Sequence, residues 1–247
     1  MTESRIIVAL DNLSEQRAME IIRVLQAEVY GFKANDLLDK MGLRDCIYSI
    51  RQYGRVMADP KLCDIPNTVA NRIKVYFGAI EDSDGYTEIE EAYQADIVTV
   101  MASAGLPALQ RAVQKKKEFE VSTKIAAVTV LTSFDEEECN LTLGGPVKAK
   151  VLQYARNAAL AGCDAIVCSA QELLFLKQYP ELNDLMRITP GIRPKGASAD
   201  DQKRINTPEE AVKNGADQLV IGRAITESED PLKAVQSINK SIEDLDM

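Results

Sequence analysis

Asp59, Lys61 and Asp64 sit close together in "RVMADPKLCDIPNT" (55–68), at the end of an apolar run. An acid, a base and a second acid do little for a hydrophobic core. They can hold an ammonium between carboxylates, and nearby opposite charge favours the cationic form of a lysine. Such a lysine is a poor amine nucleophile but a good electrostatic partner and proton donor. It suits a reaction in which carbanion character develops and a proton is delivered. It suits Schiff-base chemistry less, because that requires a neutral amine. Lys33, closing "VYGFK" (29–33), brings a second cation. Strand alternation places Met57, Asp59 and Lys61 on one face. Pro60 lacks an N–H and is expected to end ladder pairing there.

A second cluster is "VIGRAIT" (220–226). Gly222 permits close backbone approach, and Arg223 supplies a planar fork of donors. Upstream, "TPGIRP" (189–194) opens a polar loop containing "DDQKR" (200–204), long enough to fold over a ligand. Together they read as a phosphate end. The chain has no histidine, which excludes His-based triads and His-ligated metal sites.

Positioning these groups requires strands whose ends converge. Apolar, β-branched runs occur at 5–10, 29–33, 55–59, 96–101, 124–131, 164–169, 186–189 and 218–222, separated by helical patterns. Near-continuous apolar strands alternating with helices indicate a parallel sheet buried on both faces. This number of units in 247 residues predicts an α/β fold, a (β/α)8 TIM barrel. In such a barrel the chemistry gathers at the C-terminal ends of the strands. The polar residues there are Asp11, Lys33, Asp59, Lys61, Ser103, Thr132, Ser133, Ser169, Thr189 and Arg223. The alternative doubly wound sheet is disfavoured because "ALDN", not GxGxxG, follows the first run.

Helix signals agree with this frame. "TPEEAVKNGAD" offers Thr207 as N-cap, Pro208 in the first turn, Glu210 in a capping box and Gly215 as a stop. "VKAKVLQYARNAALAGCD" places Val147, Val151, Leu152, Ala155 and Ala159 on one stripe and ends at Gly162. The acidic stretch 81–91 reads as a solvated excursion, and Lys115–Lys117 as a wet helix face.

Composition shows no break, so residues 1–247 read as one domain. A net charge of −9 argues against a nucleic-acid or anionic-membrane surface. The first apolar run is too short for a signal or membrane segment. Five cysteines without a CxxC pair fit a reduced, cytoplasmic protein, with Cys163 and Cys168 as small core residues.

At "IIVALD", "GFK", "DPKLCDIPNTV", "VTVLTS", "AGCDAIVCSAQE", "TPGIRP", "DDQKR" and "TPEEAVKNGADQLVIGRAIT" the chain resembles the orotidine 5′-phosphate decarboxylases. The long D-x-K-x-x-D-I-P-x-T run is the most specific of these. The resemblance implies conversion of orotidine monophosphate to uridine monophosphate in pyrimidine biosynthesis, without cofactor or metal. It implies that Lys61 protonates C6, that Lys33 and Asp59 complete the charged chain, and that Asp59 lies near the reacting carboxylate. Asp64 and Thr68 would serve the neighbouring subunit of a homodimer. Asp11 would hold the ribose, Thr132 would lie near the base, and Gln202, Gly222 and Arg223 would hold the phosphate, with Arg193 in or near the closing loop. The chain departs from the family's usual residues at "KAN" (33–35), Pro60, Cys63 and Met101. Three alternatives stay open at this level. They are a metal-dependent decarboxylase of a sugar-acid phosphate, a Schiff-base aldolase, and a catalytically silent nucleotide-binding barrel.

Overall fold

A branched apolar run is stable as a strand only where both faces are covered, and all eight predicted runs find that environment. The computed structural model describes residues 4–81, 83, 87–194, 206–243 and 245. The first half contains β1 (Ile6–Ala9), α1 (Glu15–Leu25), β2 (Gly31–Ala34), α2 (Asp36–Met41), α3 (Leu43–Arg51), β3 (Arg55–Leu62) and α4 (Pro66–Tyr76). A hairpin of β4 (Phe77–Glu81) and β5 (Thr87–Gln94) follows, then β6 (Ile97–Met101) and α5 (Leu106–Glu118). Next come β7 (Lys124–Val128), α6 (Glu136–Leu143), α7 (Val147–Ala161), β8 (Ala165–Val167) and α8 (Ala170–Leu176). The remainder is β9 (Met186–Thr189), α9 (Pro208–Asn214), β10 (Gln218–Ile221), α10 (Arg223–Thr226) and α11 (Pro231–Glu243).

Eight strands close into a parallel barrel in the order β1-β10-β9-β8-β7-β6-β3-β2. This is the TIM barrel that the sequence predicts. Ile7, Met57, Ile97, Ala126, Ile188 and Val220 pack in its interior. The opposite faces of the strands meet the helices in a larger apolar core. Gly31 keeps β2 against β3, because a Cβ there would stand 2.7 Å from the carbonyl oxygen of Arg55.

Three details differ from expectation. β3 continues past Pro60 to Leu62, which pairs with Val100 of β6. The register shifts between Ala58 and Leu62, so Pro60 sits in an irregular stretch where its missing N–H breaks no regular ladder. The acidic stretch is not a plain loop. It forms β5 of an antiparallel hairpin, held to α3 by the Tyr48–Tyr93 ring contact and by Arg44 Nη2 donating to the Ala79 carbonyl at 3.0 Å. Glu81, Glu88, Glu90 and Glu91 remain solvent-facing as expected. The buried face of α7 is Val147, Val151, Tyr154, Ala155, Ala158 and Ala161, so it is rotated away from Leu152 and Ala159. Leu152 and Ala159 are half-buried at the edge of that face and still pack against the core.

The capping predictions around α9 hold: Thr207 and Glu210 form a capping box and Gly215 closes the helix in the left-handed conformation. Cys163 and Cys168 are buried as predicted. No helix among the described residues is long and apolar enough to cross a membrane.

Candidate active site

The first three strands carry their polar residues to one end of the barrel, and there these residues meet. Asp11 follows β1, Lys33 is the last residue but one of β2, and Asp59 and Lys61 lie in the irregular part of β3. Lys33 Nζ donates to both oxygens of Asp11, at 2.8 and 2.9 Å. The same ammonium stands 3.1 Å from Asp59 Oδ2. Lys61 Nζ donates to that Oδ2 at 2.7 Å. The result is a chain of alternating charge, Asp11–Lys33–Asp59–Lys61.

Lys33 and Asp59 are only 6% and 5% exposed, so solvent contributes little to their balance. Burial pushes the Lys33 pKa down, but the negative charges of Asp59 and Asp11 outweigh it and leave the pKa raised. Burial pushes the Asp59 carboxyl up, yet the Lys33 and Lys61 cations and the Thr99 hydroxyl hold it below its ordinary value. Both groups are therefore ionised at neutral pH. The lysine held between two carboxylates of this chain is thus Lys33. Lys61 pairs with Asp59 and is the more exposed of the two lysines.

These four residues form the charged end of a cavity of about 350 Å³. Val128, Val130, Val167 and Val220 line its apolar wall, and Thr132 and Ser133 border it. Gly222 and Arg223 also line it, after β10, together with Arg193. The cavity thus combines an apolar slot, a charged array and a guanidinium. The two ends of the 189–206 segment are tied together: Arg193 N–H donates to the Asn206 carbonyl at 2.9 Å, and Asn206 N–H to the Gly191 carbonyl at 3.2 Å. Gln202 lies outside the described residues.

Of the sequence-predicted site residues, Asp11, Lys33, Asp59, Lys61, Thr132, Arg193, Gly222 and Arg223 line this cavity. Asp64 and Thr68 do not. Asp64 is on an exposed turn after β3, where its Oδ1 accepts the Ile65 N–H at 2.7 Å, and Thr68 is in the first turn of α4. Of the other strand-end candidates, Ser169 caps α8, Ser103 is exposed, and Thr189 is buried outside the cavity lining.

The sequence reading missed three supports. Thr99 on β6 donates its hydroxyl to Asp59 Oδ1 at 2.8 Å. Asn35 Nδ2 donates to the Asp59 carbonyl at 2.6 Å. Asp36 accepts the Asn12 N–H at 3.1 Å and Lys40 Nζ at 2.6 Å, which fixes the backbone beside Asp11. A polar residue inside an apolar run ("IVTVM") was the available signal for Thr99; "ND" at 35–36, separated from the strand-two lysine by Ala34, was the signal for the other two.

The chain matches the model of the orotidine 5′-phosphate decarboxylase / HUMPS family over residues 4–238. It is 34% identical over 240 residues to an orotidine 5′-phosphate decarboxylase of Staphylococcus aureus, covering 95% of this chain and 96% of the relative. It is 35% identical over 245 residues to the enzyme of that name from Idiomarina loihiensis, covering 98% and 99%. Among solved structures, the orotidine 5′-phosphate decarboxylase of Lactobacillus acidophilus superposes with a TM-score of 0.76 at 27% identity, covering 98% of this chain and 99% of that one.

Proposed function

The chain belongs to the orotidine 5′-phosphate decarboxylase / HUMPS family, and from that premise we propose that it converts orotidine 5′-monophosphate to uridine 5′-monophosphate and carbon dioxide in pyrimidine biosynthesis. The observation that carries this reading is the alternating-charge chain opening into a cavity that also holds a guanidinium. The relatives' names supply the substrate, and the cavity's chemistry suits it.

The substrate's pyrimidine lies in the apolar slot near Thr132, with its C6 carboxylate toward Asp59 and Lys61. The bond from C6 to the carboxylate breaks, carbon dioxide leaves, and the electron pair stays on C6. Lys61, which donates to Asp59 Oδ2 at 2.7 Å, delivers its proton to that carbon and is later reprotonated from solvent. Fixed charges already in place stabilise the developing carbanion without reorganising. Lys33 keeps Asp59 ionised and joins it to Asp11, which holds the ribose. Gly222, Arg223 and Gln202 hold the phosphate, and Arg193 lines the same cavity. Binding energy from that remote phosphate is then available at the transition state. No cofactor or metal takes part.

Asp64 and Thr68 act in the cavity of a second subunit in a homodimer. Supporting this, Asp64 lies outside its own cavity and beside Ile65, a large apolar side chain that is 67% exposed.

The test is loss of orotidine monophosphate absorbance on adding purified protein in the presence of EDTA. Turnover is expected to continue undiminished. A protein that leaves the nucleotide intact, or acts only with added divalent metal, overturns the reading.

A further inference from the structure

The interior of β6 carries a polar residue that the proposed chemistry does not use. Thr99 is fully buried, yet it touches no space open to substrate; its hydroxyl is committed to two members of the charged array. Its Oγ1 donates to Asp59 Oδ1 at 2.8 Å and accepts the backbone N–H of Lys61 at 2.9 Å. These directions are forced. An ionised carboxylate can only accept, and an amide N–H can only donate, so one hydroxyl serves both with its single proton and a lone pair.

Each bond answers a need created by the irregular stretch of β3. Ala58 to Leu62 on β3 spans the ladder that Val98 to Val100 covers on β6. The residues between are cut off from regular pairing, and Lys61 takes φ +46°, a left-handed conformation uncommon for a residue with a side chain. The Lys61 N–H therefore has no ladder carbonyl, and a buried amide left unpaired is unfavourable. Thr99 supplies the acceptor. The other bond acts on the carboxylate itself. With Oδ1 engaged by Thr99, Oδ2 is left for the cations, and both ammonium groups, Lys61 at 2.7 Å and Lys33 at 3.1 Å, lie against that one atom.

We propose that Thr99 is a positioning residue of the charged array, its one hydroxyl setting both the rotation of the Asp59 carboxylate and the backbone from which Lys61 projects. This rests on the decarboxylase reading. Thr99 does not touch the reacting atoms and acts through Asp59 and Lys61. Loss of the hydroxyl leaves both residues present but free to turn, and proton delivery suffers more than nucleotide binding, which depends on Asp11 and the phosphate end.

The experiment compares wild type, Thr99→Val and Thr99→Ser, measuring kcat and KM for orotidine monophosphate and Kd for uridine monophosphate. Valine keeps the shape without the hydroxyl, and serine keeps the hydroxyl. In Thr99→Val, kcat is expected to fall roughly 10- to 100-fold, as for loss of a hydrogen bond to a buried charge, with KM and Kd near wild type. Thr99→Ser is expected to recover most of kcat. A Thr99→Val protein with wild-type kcat, a KM and Kd that worsen as much as kcat, or a serine variant as impaired as the valine one would each overturn the proposal. If Thr99→Val does not fold, Thr99→Cys, of similar size with only a weak donor, is read by the same three criteria. Wild-type protein that leaves orotidine monophosphate intact separately overturns the decarboxylase reading beneath it.

Discussion

Aspartates stand at both ends of this barrel and do different work. At the N-terminal end, Asp96, Asp164 and Asp217 each immediately precede a strand, β6, β8 and β10. Each accepts a backbone N–H from the strand alongside: Val56 at 2.7 Å, Ile125 at 2.8 Å and Arg187 at 2.6 Å. At the other end, Asp11 and Asp59 accept from lysine ammonium groups at the wall of a cavity. The chemistry of the carboxylate is the same, and the donor differs. A backbone N–H is fixed by the sheet, so pairing it locks one strand against the next. An ammonium on a flexible stem carries a transferable proton, so pairing it beside a cavity prepares a reaction. Position along the strand, not residue type, decides between stability and catalysis.

The comparison is broken most severely at the catalytic end. Lys61→Ala is expected to reduce turnover by about 10²–10⁴-fold or more, the range associated with losing a positioned proton donor. Asp64→Ala is expected to be similarly damaged if Asp64 serves the partner subunit. Mixing the two inactive proteins under conditions that exchange subunits should then restore activity, because one site of each mixed dimer has both groups intact. Activity that stays at the parental level places Asp64 in its own subunit's site.

Arg223→Ala probes the far side of the same cavity. The expected loss in kcat/KM is about 10- to 100-fold for the phosphorylated substrate, the size of a charge-assisted contact. The unphosphorylated nucleoside should be turned over about as well by the variant as by wild type. Equal losses with both substrates would remove Arg223 from the phosphate site.

At the opposite end, Asp164→Ala leaves the Ile125 N–H and Lys116 without their carboxylate. Urea denaturation should show a stability loss of about 1–3 kcal/mol, the usual penalty for orphaning a largely buried donor, with kcat unchanged. A variant of normal stability and reduced kcat would erase the division of labour between the two ends.

The smallest effect concerns pH. Asp59 is held below its ordinary pKa, so its contribution to stability is present above the unfolded value near 3.8 and is lost as pH falls through the folded value. Lys33 is held above its ordinary value, so its contribution is present below the unfolded value near 10.5 and is lost as pH rises through the folded one. Between these limits Asp59 and Lys33 are both charged. Asp11→Asn removes one of the two negative charges that raise Lys33, so the alkaline flank of a melting-temperature profile should move to lower pH. An unmoved flank would show that Asp59 alone sustains the raised value.

Much of this was legible in residue order alone. Eight branched apolar runs alternating with helical patterns sufficed for the barrel, because a sheet covered on both faces can bury them. Charged and polar residues at the ends of those runs pointed to Asp11, Lys33, Asp59, Lys61 and Arg223, because a barrel opens its chemistry at its strand ends. Other features required the third dimension. Pro60 read as the end of β3, but pairing resumes at Leu62, since a neighbouring strand can bridge an irregular stretch that no local signal reveals. Asp64 follows Asp59 and Lys61 in one charged run and was expected to turn away from its own barrel; the turn after Leu62 does carry it to an exposed position outside the cavity. Lys61 read as the lysine between carboxylates, and the fold gave two of them to Lys33 by bringing β1 beside β2. Thr99 was hidden among apolar neighbours, because its role depends on the register between β6 and a bulged β3. Hydrophobic periodicity is written along the chain, so sequence determined which segments are the barrel strands and which of their ends are polar. Hydrogen-bond partners come from strands distant in sequence, so only their packing decided which carboxylate meets which cation.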